Sequence, residues 1–261
     1  MSHNQTNALS KVPEVTLIFW IIKILATTLG ETGGDAVTMS WLGETTAEGT
    51  GSGYIIGTAI FGLIFLVAVA AQIKAKRFHP FLYWLTIVAT TTVGTTLADY
   101  LTRSVGIGYA GGSLILLACV VASLLVWRWS TGSISVESVN TPKVEIFYWL
   151  TIMFSQTLGT ALGDWVADNE RLGYLGAATI FGGILLVLVA LYFFTNASRV
   201  IMFWAAFITT RPLGAVVGDF LDKPRAHGGL ELSRYAASLT LLVVIVLLIL
   251  IFRQRPAQEA H

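Results

Sequence analysis

Cysteine occurs once in the 261 residues, at Cys119. A lone thiol closes no intrachain disulfide and assembles no Cys-based metal centre. Charge is also scarce: Asp, Glu, Lys and Arg make up 12% of the chain, against roughly 25% in an ordinary soluble domain. The 16 basic and 15 acidic residues nearly cancel, so nothing in the bulk charge draws the chain to nucleic acid or to an acidic macromolecule. The four histidines, His3, His79, His227 and His261, fall in termini and loops without metal-ligand spacing, and read as solvated. No GxSxG, P-loop, GxGxxG or HExxH pattern stands in a supporting context, so neither an enzyme nor a resident cofactor is expected. The TGGD stretch at 32–35 resembles a phosphate loop only superficially, because it lies inside an apolar segment. What remains is apolar. Hydrophobic residues make up 55% of the chain and the mean hydropathy is +0.73, the composition of a protein whose solvent is the lipid bilayer. Residues 1–10 are polar, and the first apolar stretch is interrupted by Lys23, so the start does not read as a cleaved signal peptide.

Internal similarity organises the chain. Four segments align without a gap: FWIIKILATTLGETGGD (19–35), YWLTIVATTTVGTTLAD (83–99), YWLTIMFSQTLGTALGD (148–164) and FWAAFITTRPLGAVVGD (203–219). Each has a Trp (Trp20, Trp84, Trp149, Trp204), a Gly ten residues later (Gly30, Gly94, Gly159, Gly214) and an Asp fifteen residues later (Asp35, Asp99, Asp164, Asp219). Each continues into a second apolar run that begins near Tyr54, Tyr109, Tyr174 or Tyr235. With this pattern, from Lys11 to Phe252, the chain resembles a bacterial membrane-protein family known as a tandem repeat of unknown function. In that family four copies each hold two transmembrane segments and a characteristic Trp. The resemblance implies architecture and brings little chemistry.

Each apolar run is close to the ~20 residues that cross a bilayer as a helix. The expected fold is an all-α polytopic membrane protein of eight transmembrane helices, at 13–36, 53–73, 80–102, 108–127, 143–166, 173–194, 199–221 and 234–252. The chain is one membrane domain, 1–261, with repeats 11–77, 78–130, 143–195 and 199–252. Pro13, Pro80 and Pro142 suit helix starts, where a missing N–H costs nothing. One set of connections holds Lys11, Lys74, Lys76, Arg77, Arg128, Lys143, Arg199, Arg253 and Arg255; the other holds Arg103, Arg171, Lys223, Arg225 and Arg234. That bias puts both termini in the cytoplasm of a bacterial inner-membrane protein. Acidic Glu44, Glu48, Asp168, Glu170, Asp222 and Glu231 fall mostly in the opposite loops. Two spans per unit make the four repeats parallel, with pseudo-fourfold or pseudo-twofold symmetry about the membrane normal.

Residues four apart share a helix face. From Trp+3 to Trp+15 that face reads Lys23, Thr27, Glu31, Asp35; Ile87, Thr91, Thr95, Asp99; Ile152, Gln156, Thr160, Asp164; and Phe207, Arg211, Ala215, Asp219. Polar groups are costly in lipid, so this stripe should turn toward the interior or a hydrated pathway. Beside it run Gly30 and Gly34, Gly94, Gly159 and Gly163, and Gly214 and Gly218, small-residue spacing that reads as helix packing. The first helices are therefore expected at the centre and the apolar second helices against lipid. The four Trp read as interface-belt anchors, and Gly53/Gly57 and Gly108/Gly112 as exposed small-residue faces that permit a homo-oligomer.

Three functions fit the polar face. In the leading one, Glu31, Asp35, Asp99, Asp164 and Asp219 bind a transported cation or protons. Thr and Gln line the path, and the four Asp are the metal ligands. Oxygen ligands suit a hard divalent ion such as Mn²⁺, Mg²⁺ or Ca²⁺. Five acids against Lys23 and Arg211 leave a formal charge of −3 on this face, which favours cations. Arg211 in the wall argues for a carrier over an open channel, with proton coupling and export preferred, and Pro212 beside it offers a kink or hinge. In the second reading the carboxylates only hold the repeats together. In the third, Arg211 and Lys23 bind a small organic anion.

Overall fold

The computed structural model describes residues 10–44, 51–168 and 171–258, so the expectations for His3, Glu48, Glu170 and His261 lie outside the described residues. These form eight helices: α1 (Leu17–Asp35), α2 (Ser52–Lys74), α3 (Pro80–Asp99), α4 (Gly108–Thr131), α5 (Pro142–Ala167), α6 (Gly173–Phe194), α7 (Arg199–Asp222) and α8 (Arg234–Ile251). Local chemistry sets their starts. Thr16, Ser198 and Ser233 accept hydrogen bonds from the first turns of α1, α7 and α8, the N-cap role of short hydroxyl side chains. Pro80 and Pro142 open α3 and α5. Pro13 does not open α1; it sits four residues ahead, in an isolated bridge with Pro256. The carboxylate of Glu44 accepts from the backbone of Gly51 and Gly53 and so anchors the start of α2. Past Asp35 and Asp99 the chain does not stop but widens into π-helical turns, Ala36–Trp41 and Tyr100–Ser104.

Seven of the eight helices are long and apolar enough to cross a membrane. The eighth, α5, has the length at 26 residues, but Tyr148, Ser155, Gln156, Thr157 and Thr160 make it more polar. All five are buried against other helices, where lipid never meets them.

The four first helices form a closed ring: α1 packs on α3, α3 on α5, α5 on α7, and α7 returns to α1. Each second helix leans chiefly on the first helix of the following unit, α2 on α3, α4 on α5 and α6 on α7, and α8 closes the cycle on α1. The apolar stretch of α3 is 72% buried, that of α1 61% and that of α7 56%, against 33% for α4, 22% for α2 and 11% for α6 and α8. The first helices are the core and the second helices the lipid-facing jacket.

Glycine lets the ring close. A Cβ on Gly30 would overlap Thr91; on Gly94 it would come within 2.9 Å of the Gln156 Cβ; on Gly159 it would overlap Arg211, and on Gly214 Thr27. Each Trp+10 glycine is thus the notch for the Trp+7 side chain of the next unit, and the fourth unit receives Thr27 from the first. Further along, Gly34 faces Thr95, Gly163 faces Ala215 and Gly218 faces Glu31. The same packing turns the polar stripes inward.

Two expectations are corrected. Trp84, Trp149 and Trp204 are 1–3% exposed and do not form a lipid-facing belt. With Phe19, Tyr83, Tyr148 and Phe203 they interlock edge to face or tilted across the end of the ring opposite the aspartates, Tyr83 and Tyr148 sharing a 2.6 Å hydrogen bond between hydroxyls. Only Trp20 is partly exposed. Nor are Gly53, Gly57 and Gly112 free for an oligomer: they are buried against Glu44, Thr38 and Thr102, in the turns that follow the aspartates.

Candidate functional site

All sixteen stripe positions meet inside the ring, and none is more than 4% exposed. They stack in four layers. Lys23, Ile87, Ile152 and Phe207 lie nearest the aromatic end; then come Thr27, Thr91, Gln156 and Arg211; then Glu31, Thr95, Thr160 and Ala215; and last Asp35, Asp99, Asp164 and Asp219. Threonine is tolerated here because its hydroxyl returns to its own helix. Thr91 donates to the Val88 carbonyl at 2.9 Å and Thr90 to that of Ile87 at 2.6 Å, the local satisfaction that hydrocarbon demands. Thr91 and Thr95 also reach across to the carbonyls of Ala26 and Gly30, each at 3.2 Å, and so stitch α3 to α1.

Arg211 occupies the middle. Its guanidinium donates to Glu31 Oε2 at 3.0 Å, to Thr95 Oγ1 at 2.6 Å and to Thr160 Oγ1. One unit supplies the cation and each of the other three supplies an acceptor. Arg211 is fully buried, and its long stem fills the notch over Gly159 beside Pro212. α7 continues through Pro212 as one helix.

At the far end the four aspartates divide into two pairs, each bridged by one cation. Arg103 contacts Asp99 at 3.1 Å and Asp164 at 2.9 Å. Lys223 joins Asp219, at 3.0 Å, to Asp35. Asp222 lies beside them and takes Arg234 at 2.8 Å. Burial alone would lower the Lys223 ammonium, but Asp219, Asp35 and Asp222 outweigh it and hold the group well above the usual lysine range. Oxygen atoms of Glu31, Asp164 and Asp219 lie within 4.8 Å of one another, as do those of Asp35, Asp219 and Asp222. The carboxylates thus form a continuous cluster from Glu31 outward, and Asp35 Oδ1 and Asp164 Oδ1 are buried with no hydrogen bond among the described residues.

Arg103, Lys223, Asp222 and Arg234 are the site residues that sequence reading assigns to loops. Their inclusion revises the charge. Six acids now stand against Lys23, Arg211, Arg103, Lys223 and Arg234, so the formal charge is −1 and not −3. The distribution is uneven. Five aspartates with three cations leave the outer end at −2, whereas Glu31 with Arg211 and Lys23 leaves the inner layers at +1. A cavity of about 420 Å³ lies elsewhere, outside the ring between α1, α6 and α7, walled by apolar residues such as Trp20, Leu188, Phe193 and Phe203.

The repeat unit corresponds to a family model described as a Repeat of Unknown Function (DUF347), which matches residues 18–78, 82–133, 147–198 and 202–256. No curated protein and no solved structure matches the chain. The four matches cover most of its length, and the chain belongs to this repeat family.

Proposed function

We propose that this member of the DUF347 repeat family is a secondary carrier for a small cation, with the aspartate cluster as its binding station. The observation that carries the reading is the pair of formal negative charges left in a buried cluster after Arg103, Lys223 and Arg234 are counted. One divalent ion neutralises them. The ligand set is all oxygen, which suits a hard ion of the Mn²⁺, Mg²⁺ or Ca²⁺ class. Arg103 and Lys223 already sit between opposed carboxylates of neighbouring helices, where a substrate cation would sit. They keep the cluster from collapsing by self-repulsion when no ion is bound. The interlocked aromatic layer closes the opposite end, as an alternating-access carrier requires of one of its states, and the wall contains cations that a freely conducting cation pore would not. Protonation of a carboxylate on release would couple ion movement to a proton, and export fits a chain without a nucleotide motif.

The proposal includes eight spans arranged as four parallel two-helix repeats, with pseudo-fourfold or pseudo-twofold order, in the inner membrane and with both termini cytoplasmic. Support for α5 as the eighth span comes from the chain ends. Pro13 pairs with Pro256, and Lys11 binds Glu145 at the start of α5 together with the last carbonyls of α2. Ends that meet at one face need an even number of crossings.

The test is flux of Mn²⁺ into or out of proteoliposomes under a proton gradient. Asp99→Asn and Asp164→Asn are each expected to lower it at least about tenfold, a loss of roughly 1.4 kcal/mol in binding or barrier terms. Flux equal to the parent in both variants ends the carrier role. The competing structural reading is favoured by the same bridges, because Arg103 and Lys223 each tie two units together. It predicts that Mn²⁺ leaves the melting temperature of the parent unchanged, whereas a bound ion at about 100 times its Kd adds roughly 2.7 kcal/mol.

A further inference from the structure

The inner two layers of the ring hold an excess of donors that the described residues do not satisfy. Lys23 is fully buried and its ammonium makes no hydrogen bond among the described residues. It lies 4.1 Å from the centroid of the Phe207 ring, which covers one side only and accepts none of its three N–H donors in the ordinary sense. Phe207 stands one helical turn before Arg211 on α7. Arg211 spends its NH2 group on Glu31, Thr95 and Thr160, but its NH1 and Nε are buried without a partner among the described residues. Gln156, on α5, belongs to the same layer as Arg211. Its side chain is also fully buried, and neither its amide nitrogen nor its amide oxygen is hydrogen-bonded among the described residues. Unpaired N–H groups on three helices thus lie in adjacent layers of the interior, and the only acid within the three inner layers is Glu31.

Buried polar groups in the membrane are satisfied by something, since hydrocarbon offers no alternative. A cation does not fit a place furnished with an ammonium, a guanidinium and an amide. Water would meet some of the donors but would leave the formal positive charge of the inner layers uncompensated. We infer that Lys23, Gln156 and Arg211 form a binding site for one small monovalent anion, halide-sized, deep in the four-helix ring and separate from the aspartate cluster. Size follows from the packing: all three side chains are fully buried where neighbouring helices meet closely at Gly94, Gly159 and Gly214, which leaves no space for an organic acid of several carbons. With the anion in place the inner layers become formally neutral, and Phe207 gives the site an apolar floor.

This inference does not rest on the cation reading, and the two are read in separate experiments: Mn²⁺ added in gluconate for the outer cluster, chloride added without metal for the inner one. The protein in detergent is melted in sodium gluconate, chloride and bromide at constant ionic strength. Chloride and bromide are expected to raise the melting temperature saturably, by roughly 5 °C at saturation. Lys23→Met should abolish the response, and Gln156→Leu should raise the half-saturating concentration about tenfold, the fold-change of one lost hydrogen bond to an ion. Should either variant fail to fold, the parent alone decides: its ³⁵Cl resonance should broaden on binding and sharpen again when bromide competes. Equal melting in chloride and gluconate without line broadening overturns the site, as does a full chloride response in Lys23→Met.

Discussion

Arg211 is the residue on which the middle of the ring depends, because one guanidinium ties together acceptors from three other units. Replacing it by methionine keeps most of the stem over Gly159 and removes the charge. Glu31, 3.0 Å away and fully enclosed, would then be a buried carboxylate without its partner. Breaking such a pair costs about 3–5 kcal/mol, whereas removing both members together is far milder. Arg211→Met is expected to lower stability by that amount in reversible detergent unfolding, and Glu31→Gln with Arg211→Met to regain most of it. Equal losses in the single and the double variant would mean that shape and not charge sets the cost. The Glu31–Arg211 proximity was within reach of sequence, since both occupy the repeated polar face. Arg103 and Lys223 were not read as site residues. They follow Asp99 and Asp219 by four positions, ordinary ion-pair spacing on a helix, but they fall just past the expected helix ends at 102 and 221 and count there as loop charges. Nothing in the repeat announced the π turn that carries the chain one turn further to Arg103. Units one and three, with Met39 and Asp168 at that position, break the pattern and hide it from alignment.

At the scale of the helix, the order of the ring is set by which side chain enters which glycine notch. Gly94 shows how little room exists: an added Cβ would lie 2.9 Å from the Gln156 Cβ and 3.0 Å from the backbone at Gln156 and Thr157. The backbone there cannot yield without moving α5. Gly94→Ala is therefore expected to destabilise by about 1–3 kcal/mol, the cost of overpacking. Gly183→Ala, on α6 with nothing within 4 Å of the new atom, should stay within about 0.5 kcal/mol of the parent. A thermal-denaturation pair that showed the two equal would remove the notch from the account. Helix positions were legible because apolar runs, prolines and the Trp-to-Asp spacing all mark the same borders, and the observed ends lie within a few residues of the expected ones except where α1 begins at Leu17 and α4 extends to Thr131. Hand-over of each second helix to the next unit was not legible. Those helices are nearly uniform in Leu, Val, Ile and Ala, and an apolar surface carries no directional mark to say which neighbour it meets. The tryptophans misled for a related reason: an aromatic pair near a helix end reads as a membrane-interface anchor, and only the closed ring turns it inward.

For the whole molecule, the decisive question is whether α5 crosses the membrane. Composition alone sets it apart from the other seven helices. Hydropathy, however, scores a helix as though lipid surrounded it, and α5 is covered by α3, α4 and α7. A helix so enclosed is free to carry Gln156 and Thr160 without exposing them to hydrocarbon. Chain continuity gives an independent demand. The backbone of Ala257 donates to Val12 and that of Glu14 to Arg255, at 2.8 Å each. The N-terminal segment and the C-terminal tail therefore meet at the end where α1 starts and α8 finishes. Seven crossings would place them on opposite sides. The lone cysteine makes the matter testable, since Cys119→Ala supplies a cysteine-free parent. In that background, single cysteines replace four exposed residues: Lys76 between α2 and α3, Ser104 after α3, Asp168 after α5, and Arg253 after α8. A membrane-impermeant maleimide added to intact cells should label the variants at 104 and 168 and spare those at 76 and 253, which should react only once the membrane is opened. Labelling of 253 together with 104 in intact cells would leave an odd number of crossings and separate the termini. The closed ring of four like-oriented helices, and with it the meeting of four aspartates at one end, would then have to be abandoned.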